Sequence, residues 1–269
     1  MGDKAPARLV LVDQDMEVET LLPFAGGCAA VYSARAPDRD GANEDGALVA
    51  AFDASSGVLA VADGLGGRPA GENASELTLQ RLADAVTRTG GPSRSAVLDG
   101  IERANEAVMA LGIGAATTLS VAEIARDRLR PYQVGDSAIL VVGQRGVVKL
   151  QTLSHSPVGY ALESGLLDEK DALHHEQRHL ISNMVGAADM RIDVGSTIRL
   201  APRDTVLLAT DGLLDNLSQA EMIDRICTGP LSEAARRLAS VCAHRMRTPS
   251  NGHPSKPDDL TFILYRPTA

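Results

Sequence analysis

The sequence predicts an α+β protein in which antiparallel β-sheets pack with helices that are grouped apart from them. Three observations lead there. Apolar residues fall mostly in short runs, at 47–52, 58–62, 117–124, 129–134, 138–142, 147–150, 205–210 and 260–265, divided by Gly and by polar turns such as Gly143-Gln144-Arg145-Gly146. A smaller set of stretches instead repeats its apolar residues every three or four positions. The chain has 269 residues, 44% hydrophobic but only 3% aromatic and without Trp, so a large core must be built from Ala, Val, Leu and Ile.

The helical stretches follow one another in a clear order. Leu79, Leu82, Ala83 and Val86 form one apolar stripe, and Val97, Ile101, Ala104, Val108 and Leu111 form a second within 92–112. Ser218 followed by Glu221 is a capping-box start for a short helix carrying Met222, Ile223 and Ile226. After the Gly229-Pro230 break, Leu231, Ala234, Leu238 and Val241 continue helically. Prolines, a glycine and small polar residues around 247–257 are expected to form a mobile loop. Residues 1–26 are expected to be an N-terminal extension or an edge strand ahead of one domain at 27–266.

Charge and cysteine content exclude several function classes. A net charge of -9 and a pI near 5.2 argue against a surface made for nucleic acid or for anionic lipid. Cys28, Cys227 and Cys242 are odd in number and widely spaced, unlike a zinc motif or a secreted disulfide framework. No stretch approaches the roughly 18 apolar residues of a membrane span, and no basic-then-apolar leader opens the chain. The expected setting is the reducing cytoplasm.

Acids sit at the ends of the short runs in a regular way. "VLAVADG" ends at Asp63, "YQVGDS" meets Asp136 and "TVLLATDG" ends at Asp211, while other runs lead out from Glu44 and Asp45 and from Asp258 and Asp259. Antiparallel pairing sets the end of one strand beside the start of its neighbour, so all five acidic spots can share one edge of the fold. Carboxylates gathered there raise one another's pKa unless a positive charge joins them. Hard divalent cations supply that charge and take carboxylate, carbonyl and water oxygens. Gly64 and the pair Gly66-Gly67 would let backbone approach such an ion closely. Any one of "ADG", "GDS" or "TDG" alone reads as a plain turn. The combination reads as a metal site.

In order, "NED" (43–45), "VADGLGG" with "GENAS" (61–75), "GAATTLS" (114–120), "VGDSAIL" (134–140), "LLATDGLLD" (207–215) and "DDLTFIL" (258–264) resemble the PPM, or PP2C-type, family of metal-dependent protein serine/threonine phosphatases, and most closely its short bacterial members. The resemblance covers about residues 27–266 and includes a segment, 153–186, that looks like the family's flap. It implies a β-sandwich of two antiparallel sheets flanked by α-helices on both outer faces. It also implies two or three Mg²⁺ or Mn²⁺ ions. Asp63 would bridge two of them and the Gly64 carbonyl would bind one, while Asp211 and Asp258 would hold the other. Glu44 and Asp45 would act through water or from outside the first shell, and Asp136 would help form a third site. The implied reaction is hydrolysis of phosphoserine and phosphothreonine by direct attack of a metal-activated water, with Asp63 and Asp211 central to it. The implied partners are phosphorylated proteins and a Ser/Thr kinase acting on the same substrates, with neither nucleic acid nor membrane, and a monomer is the expected state.

Two departures bear on that reading. Where relatives carry an Arg three residues before the Asn of "NED", this chain has Asp40; Arg39 is one residue off, and Arg35 and Arg68 are further candidates for the phosphate clamp. Where some relatives have a His two residues after the bridging Asp, this chain has Leu65. None of the six histidines is assigned a catalytic role; His174, His175 and His179 cluster in the flap-like segment, and His155 matches a family position near it. No Cys has an Arg six residues on, which excludes the cysteine-phosphatase route. The competing expectation, motivated by Asp40, is a catalytically weak module that binds phosphoproteins or regulates a partner.

Overall fold

Most of the apolar runs become strands buried on both faces, which is why they read as continuous rather than alternating, while the run at 147–150 becomes a largely exposed edge strand. The computed structural model describes residues 8–65, 70–88, 93–173, 175–249 and 253–268. In chain order the strands are β1 (Arg8–Val12), β2 (Thr20–Phe24), β3 (Gly27–Ala34), β4 (Asp45–Asp53), β5 (Ser56–Asp63), β6 (Leu119–Ala125), β7 (Arg128–Val134), β8 (Ala138–Val142), β9 (Val148–Gln151), β10 (Asp193–Val194), β11 (Ile198–Arg199), β12 (Thr205–Ala209) and β13 (Leu260–Pro267). The helices are α1 (Gly71–Arg88), α2 (Arg94–Met109), α3 (Pro157–Glu163), α4 (Glu169–Leu173), α5 (Asp211–Leu214), α6 (Gln219–Ile226) and α7 (Leu231–Arg247).

The strands form two antiparallel sheets, ordered β1-β4-β5-β6-β7-β10, with β11 also on β7, and β2-β3-β13-β12-β8-β9. Alternation along each strand divides its side chains between two cores. Ala47, Val49, Leu59 and Val61 of the first sheet meet Val31, Val206, Leu208 and Ile263 of the second. The intervening Leu48, Val58, Ala60 and Ala62 turn outward to Leu79, Leu82, Val97 and Ile101 of α1 and α2. On the opposite face, Leu140, Leu207, Phe262 and Leu264 pack against Ala234, Ala235 and Leu238 of α7. The result is the expected sandwich with helices on both outer faces.

Some boundaries differ from the sequence expectation for identifiable reasons. Thr117 stands outside β6, making isolated bridges to Gly64 and Val185, and Thr210 leaves β12 to become the residue before α5. Strand β3 was not among the expected runs because small residues dominate it; it is central, between β2 and β13, with Ala29 and Ala30 fully buried. Residues ahead of position 27 supply an edge to each sheet, β1 to the first and β2 to the second. Of the expected mobile loop, 250–252 lie outside the described residues.

The capping box at Ser218 forms as read, and Glu221 also has a second task. Its carboxylate accepts from Nη1 and Nη2 of buried Arg245, whose Nη1 donates as well to the Asn216 carbonyl at 2.5 Å. Arg245 holds the Glu221 carboxyl down to about 2, below its ordinary 4.5. A lowered acid stabilises the fold above its unfolded pKa and loses that contribution as pH falls through its folded one. Glu221→Gln is therefore expected to cost about 2–3 kcal/mol in urea unfolding at pH 7. The difference should shrink as pH falls from about 4.5 toward 2. Equal stability at pH 7 would contradict this role.

Candidate active site

One edge of the sandwich carries the acids, and strand pairing puts them there. Asp45 at the start of β4 is the direct cross-strand partner of Asp63 at the end of β5. Asp211 begins α5 just after β12, and Asp258 and Asp259 precede β13, the antiparallel neighbour of β12. Asp136 lies in the turn from β7 to β8. The Thr210 hydroxyl joins the two sheets at this edge, donating to Asp45 Oδ2 at 2.8 Å while accepting from the Thr261 amide at 3.1 Å.

The turns that present the acids are fixed by buried hydroxyls and close backbone packing. Thr118 Oγ1 accepts the Asp63 amide at 3.1 Å and pairs with Ser137 Oγ at 2.6 Å, tying the Asp63 and Asp136 turns together. The Asp63 carbonyl accepts from the Thr118 amide and the Thr117 hydroxyl, each at 2.8 Å. Gly64 donates its amide to the Glu44 carbonyl at 3.0 Å, and a Cβ on Gly64 would lie 2.4 Å from the backbone of Gly71, so the position requires glycine. Gly135 has φ +97° with a would-be Cβ 2.7 Å from Thr118, which excludes other residues there too.

Beneath the Asp136 turn, His155 Nδ1 accepts from the Gly135 amide at 3.1 Å and faces the Asn183 amide nitrogen at 2.8 Å. With Nδ1 accepting, Nε2 carries the hydrogen and donates to Asp193 Oδ2 at 3.1 Å. The flap-like segment is thereby pinned to the acidic edge. Between α3, α4 and the core lies a cavity of about 500 Å³, with Asp136, Asp211 and Asp215 at its polar part and Leu153, Val158, Leu162, Leu173 and Met222 among its apolar lining.

The electrostatics are those of crowded, desolvated carboxylates. Burial raises Asp63 well above the usual aspartate range, and repulsion from Asp211, Asp45, Asp258 and Asp136 adds to it. Burial followed by Asp259 does the same to Asp45. Asp136 is pushed up to about 8 by burial and then by Asp211 and Asp215. Burial raises Asp258 and Glu44 as well, with Lys256 and Arg39 respectively opposing the rise. The Lys256 ammonium lies 2.5 Å from Asp211, 2.9 Å from Asp258 and 3.0 Å from Asp215. Among the described residues, no three His, Cys, Asp or Glu side chains have closed into a ready coordination shell.

The donor set still fits a hard divalent cation. It consists of oxygens alone. Asp136 Oδ1 is buried with no hydrogen-bond partner among the described residues, and several carboxylates carry a desolvation cost that added positive charge would offset. A metal-dependent reaction is compatible with this edge, where the carboxylates of Asp45, Asp136, Asp211 and Asp258 lie close enough to Asp63 to repel it.

Of the candidate clamp residues, Arg39 reaches the acidic edge. Its Nη2 is 2.7 Å from Glu44 Oε2, its Nη1 is 3.8 Å from Asp259 Oδ2, and its side chain is 43% exposed. Arg35 instead binds Asp15 at 3.1 Å and the Gly41 carbonyl at 3.0 Å. Arg68, the pair Gly66-Gly67 and His174 lie outside the described residues. Two residues at this edge, and the task of a third, were not singled out from sequence. Asp215 follows Asp211 by four positions, a spacing that signals a shared helical face. Lys256 and the structural use of Asp259 depend on contacts between segments far apart in the chain, and no local pattern marks them.

The sequence profile described as protein phosphatase 2C matches residues 36–245. The serine/threonine phosphatase stp of Listeria innocua is 28% identical over 234 residues, 82% of this chain and 89% of that one. The serine/threonine phosphatase structure from S. agalactiae superposes with a TM-score of 0.75 at 28% identity, covering 88% of this chain and 98% of that one. The catalytic domain of serine threonine protein phosphatase PstP, solved with 2 manganese ions, shares the fold at a TM-score of 0.70 and 24% identity, covering 90% of this chain and 98% of that one.

Asp259 uses both carboxylate oxygens as backbone acceptors, from the Ala36 amide at 2.7 Å and the Glu44 amide at 2.8 Å. It thereby holds the loop that presents Arg39 and Glu44. Asp259→Ala would strand two amide donors at a cost of about 1–3 kcal/mol each if they stay buried. The expected readout is faster hydrogen exchange at the Glu44 amide, with protection at the Thr118 amide retained. Unchanged exchange at Glu44 would show that the loop does not depend on Asp259.

Proposed function

The chain belongs to the protein phosphatase 2C family and is a metal-dependent protein serine/threonine phosphatase, and on that premise we propose that the acidic edge of its sandwich is the catalytic centre. The observation that carries this reading is the crowding around Asp63, a half-buried carboxylate paired across the strands with buried Asp45 and repelled by it and by Asp211, Asp258 and Asp136. A structural role gives no reason to gather these charges.

In this reading Asp63, the Gly64 carbonyl, Asp211 and Asp258 would hold two Mg²⁺ or Mn²⁺ ions, and Asp136 would contribute to a third position. Glu44 and Asp45 support them from behind, with Thr210 orienting Asp45 through its 2.8 Å hydrogen bond. When bound, such ions supply a water acidic enough to attack phosphorus near neutral pH and positive charge for the phosphoryl oxygens. The chain's own groups position that chemistry. The Thr118 bridge holds the Asp63 and Asp136 turns at fixed spacing, and Arg39 exchanges its exposed contact with Glu44 for two oxygens of the substrate phosphate. With Leu65 two residues after Asp63, no imidazole stands there to protonate the leaving alkoxide, so solvent at the site would take that task. The substrates are phosphorylated proteins of the cytoplasm that a Ser/Thr kinase supplies. Among the described residues, no helix is long and apolar enough to cross a membrane.

Purified protein is expected to hydrolyse p-nitrophenyl phosphate and a phosphothreonine peptide with Mn²⁺ or Mg²⁺ and to stop in EDTA. Asp63→Asn should lower kcat/KM on the order of 10³-fold or more without loss of the folded circular dichroism spectrum. Near-normal turnover by that variant would remove Asp63 from the centre. Arg39→Ala should raise KM about tenfold with a smaller change in kcat. An unchanged KM would move the phosphate clamp to another residue.

A further inference from the structure

Lys256 is built into the acidic edge. Its backbone is clamped by the fully buried Asn216, whose side-chain oxygen accepts the Lys256 amide at 2.9 Å and whose side-chain nitrogen donates to the Lys256 carbonyl at 2.8 Å and to the Gly212 carbonyl at 2.9 Å. Asn216 is itself held by Arg245 through its carbonyl. On the other side of Lys256, Ser255 donates to the Arg245 carbonyl at 2.8 Å and Pro257 restricts the chain. The side chain this support projects is 23% exposed, and its ammonium reaches Asp211, Asp258 and Asp215 at 2.5, 2.9 and 3.0 Å. An ammonium is a compact charge; here it donates a hydrogen bond to Asp211 and holds Asp258 and Asp215 as ion pairs.

We propose that Lys256 is a tethered counter-ion of the metal site: its ammonium holds Asp211, Asp215 and Asp258 in register and leaves Asp211 and Asp258 when a divalent cation is held there. This rests on reading the acidic edge as a metal site. Asp211 and Asp258 are the two acids assigned to one of the ions, and both already spend an oxygen on Lys256. A divalent cation and the ammonium therefore compete for the same lone pairs, and metal loading and lysine release form one exchange. Asp215, which is not assigned to an ion in the two-metal set, is the partner to which the displaced ammonium remains attached. Lys256 thus lowers metal affinity while keeping the carboxylates gathered without metal. It is a positioning residue, acting through the acids rather than on the substrate.

The test has two parts. In calorimetric titration with Mn²⁺ at pH 8, Lys256→Met should bind at least about tenfold more tightly than the unaltered chain, and its metal-free form should melt at lower temperature. On the unaltered protein, acetic anhydride labelling read by mass spectrometry should modify Lys256 severalfold more in Mn²⁺ than in EDTA. Lys149, ion-paired to Asp204 at 2.5 Å, serves as the internal reference. Should Lys256→Met fail to fold without metal, the labelling decides alone. Equal or weaker Mn²⁺ affinity in the variant, or labelling of Lys256 unchanged by Mn²⁺, would overturn the exchange. Failure of the unaltered chain to bind Mn²⁺ at all is a different result, one that overturns the metal site itself.

Discussion

The mutual repulsion of buried and half-buried carboxylates at one edge of the sandwich is the constraint on which the rest of this protein turns. Desolvation and like charge both push Asp63, Asp45, Asp136 and Asp258 toward protonation. A fold can hold such a group together only if its scaffold is rigid and positive charge is at hand. The two sheets meet both demands through short, buried contacts. Thr210 reaches from one sheet to Asp45 of the other, Thr118 ties two acid-bearing turns, and Lys256 supplies a charge from a third segment.

The scaffold is rigid because nearly every residue of the central strands is buried. Each central strand is buried on both faces, feeding the core between the sheets with one set of residues and an outer helical layer with the other. Small side chains, with Ala prominent, fill much of this space, consistent with a composition almost free of aromatic residues. Close packing of that kind transmits a displacement at the edge into the core instead of absorbing it. The loops that carry Glu44, Gly64 and Asp136 are therefore set by strand register, and the glycines at 64 and 135 are the places where backbone must approach backbone or side chain too closely for a Cβ.

Much of this was legible in the sequence, for a physical reason that also marks where legibility stopped. Short apolar runs ending in "ADG", "GDS" and "TDG" are local signals, and antiparallel pairing converts them into a shared edge without any knowledge of the three-dimensional structure. The helices α2, α6 and α7 were equally visible, because their apolar period and the Ser218–Glu221 box lie within a few turns. Strand β3 escaped because Gly27–Ala34 offers small residues in place of a β-branched pattern. The clamp of Asn216 on Lys256 spans 40 residues, and the grip of Asp259 on Ala36 spans 223. Contacts of that separation leave no periodic trace, so a lysine beside "PDD" reads as an ordinary solvated charge until the fold brings it to Asp211.

Anomalous X-ray scattering from crystals grown with Mn²⁺ tests the central claim most directly, because it locates the ions independently of turnover. The expected result is anomalous density at the acidic edge, in contact with Asp63, the Gly64 carbonyl, Asp211 and Asp258. Ordered Mn²⁺ found only elsewhere, with Asp211 and Asp258 still paired to Lys256, would contradict it.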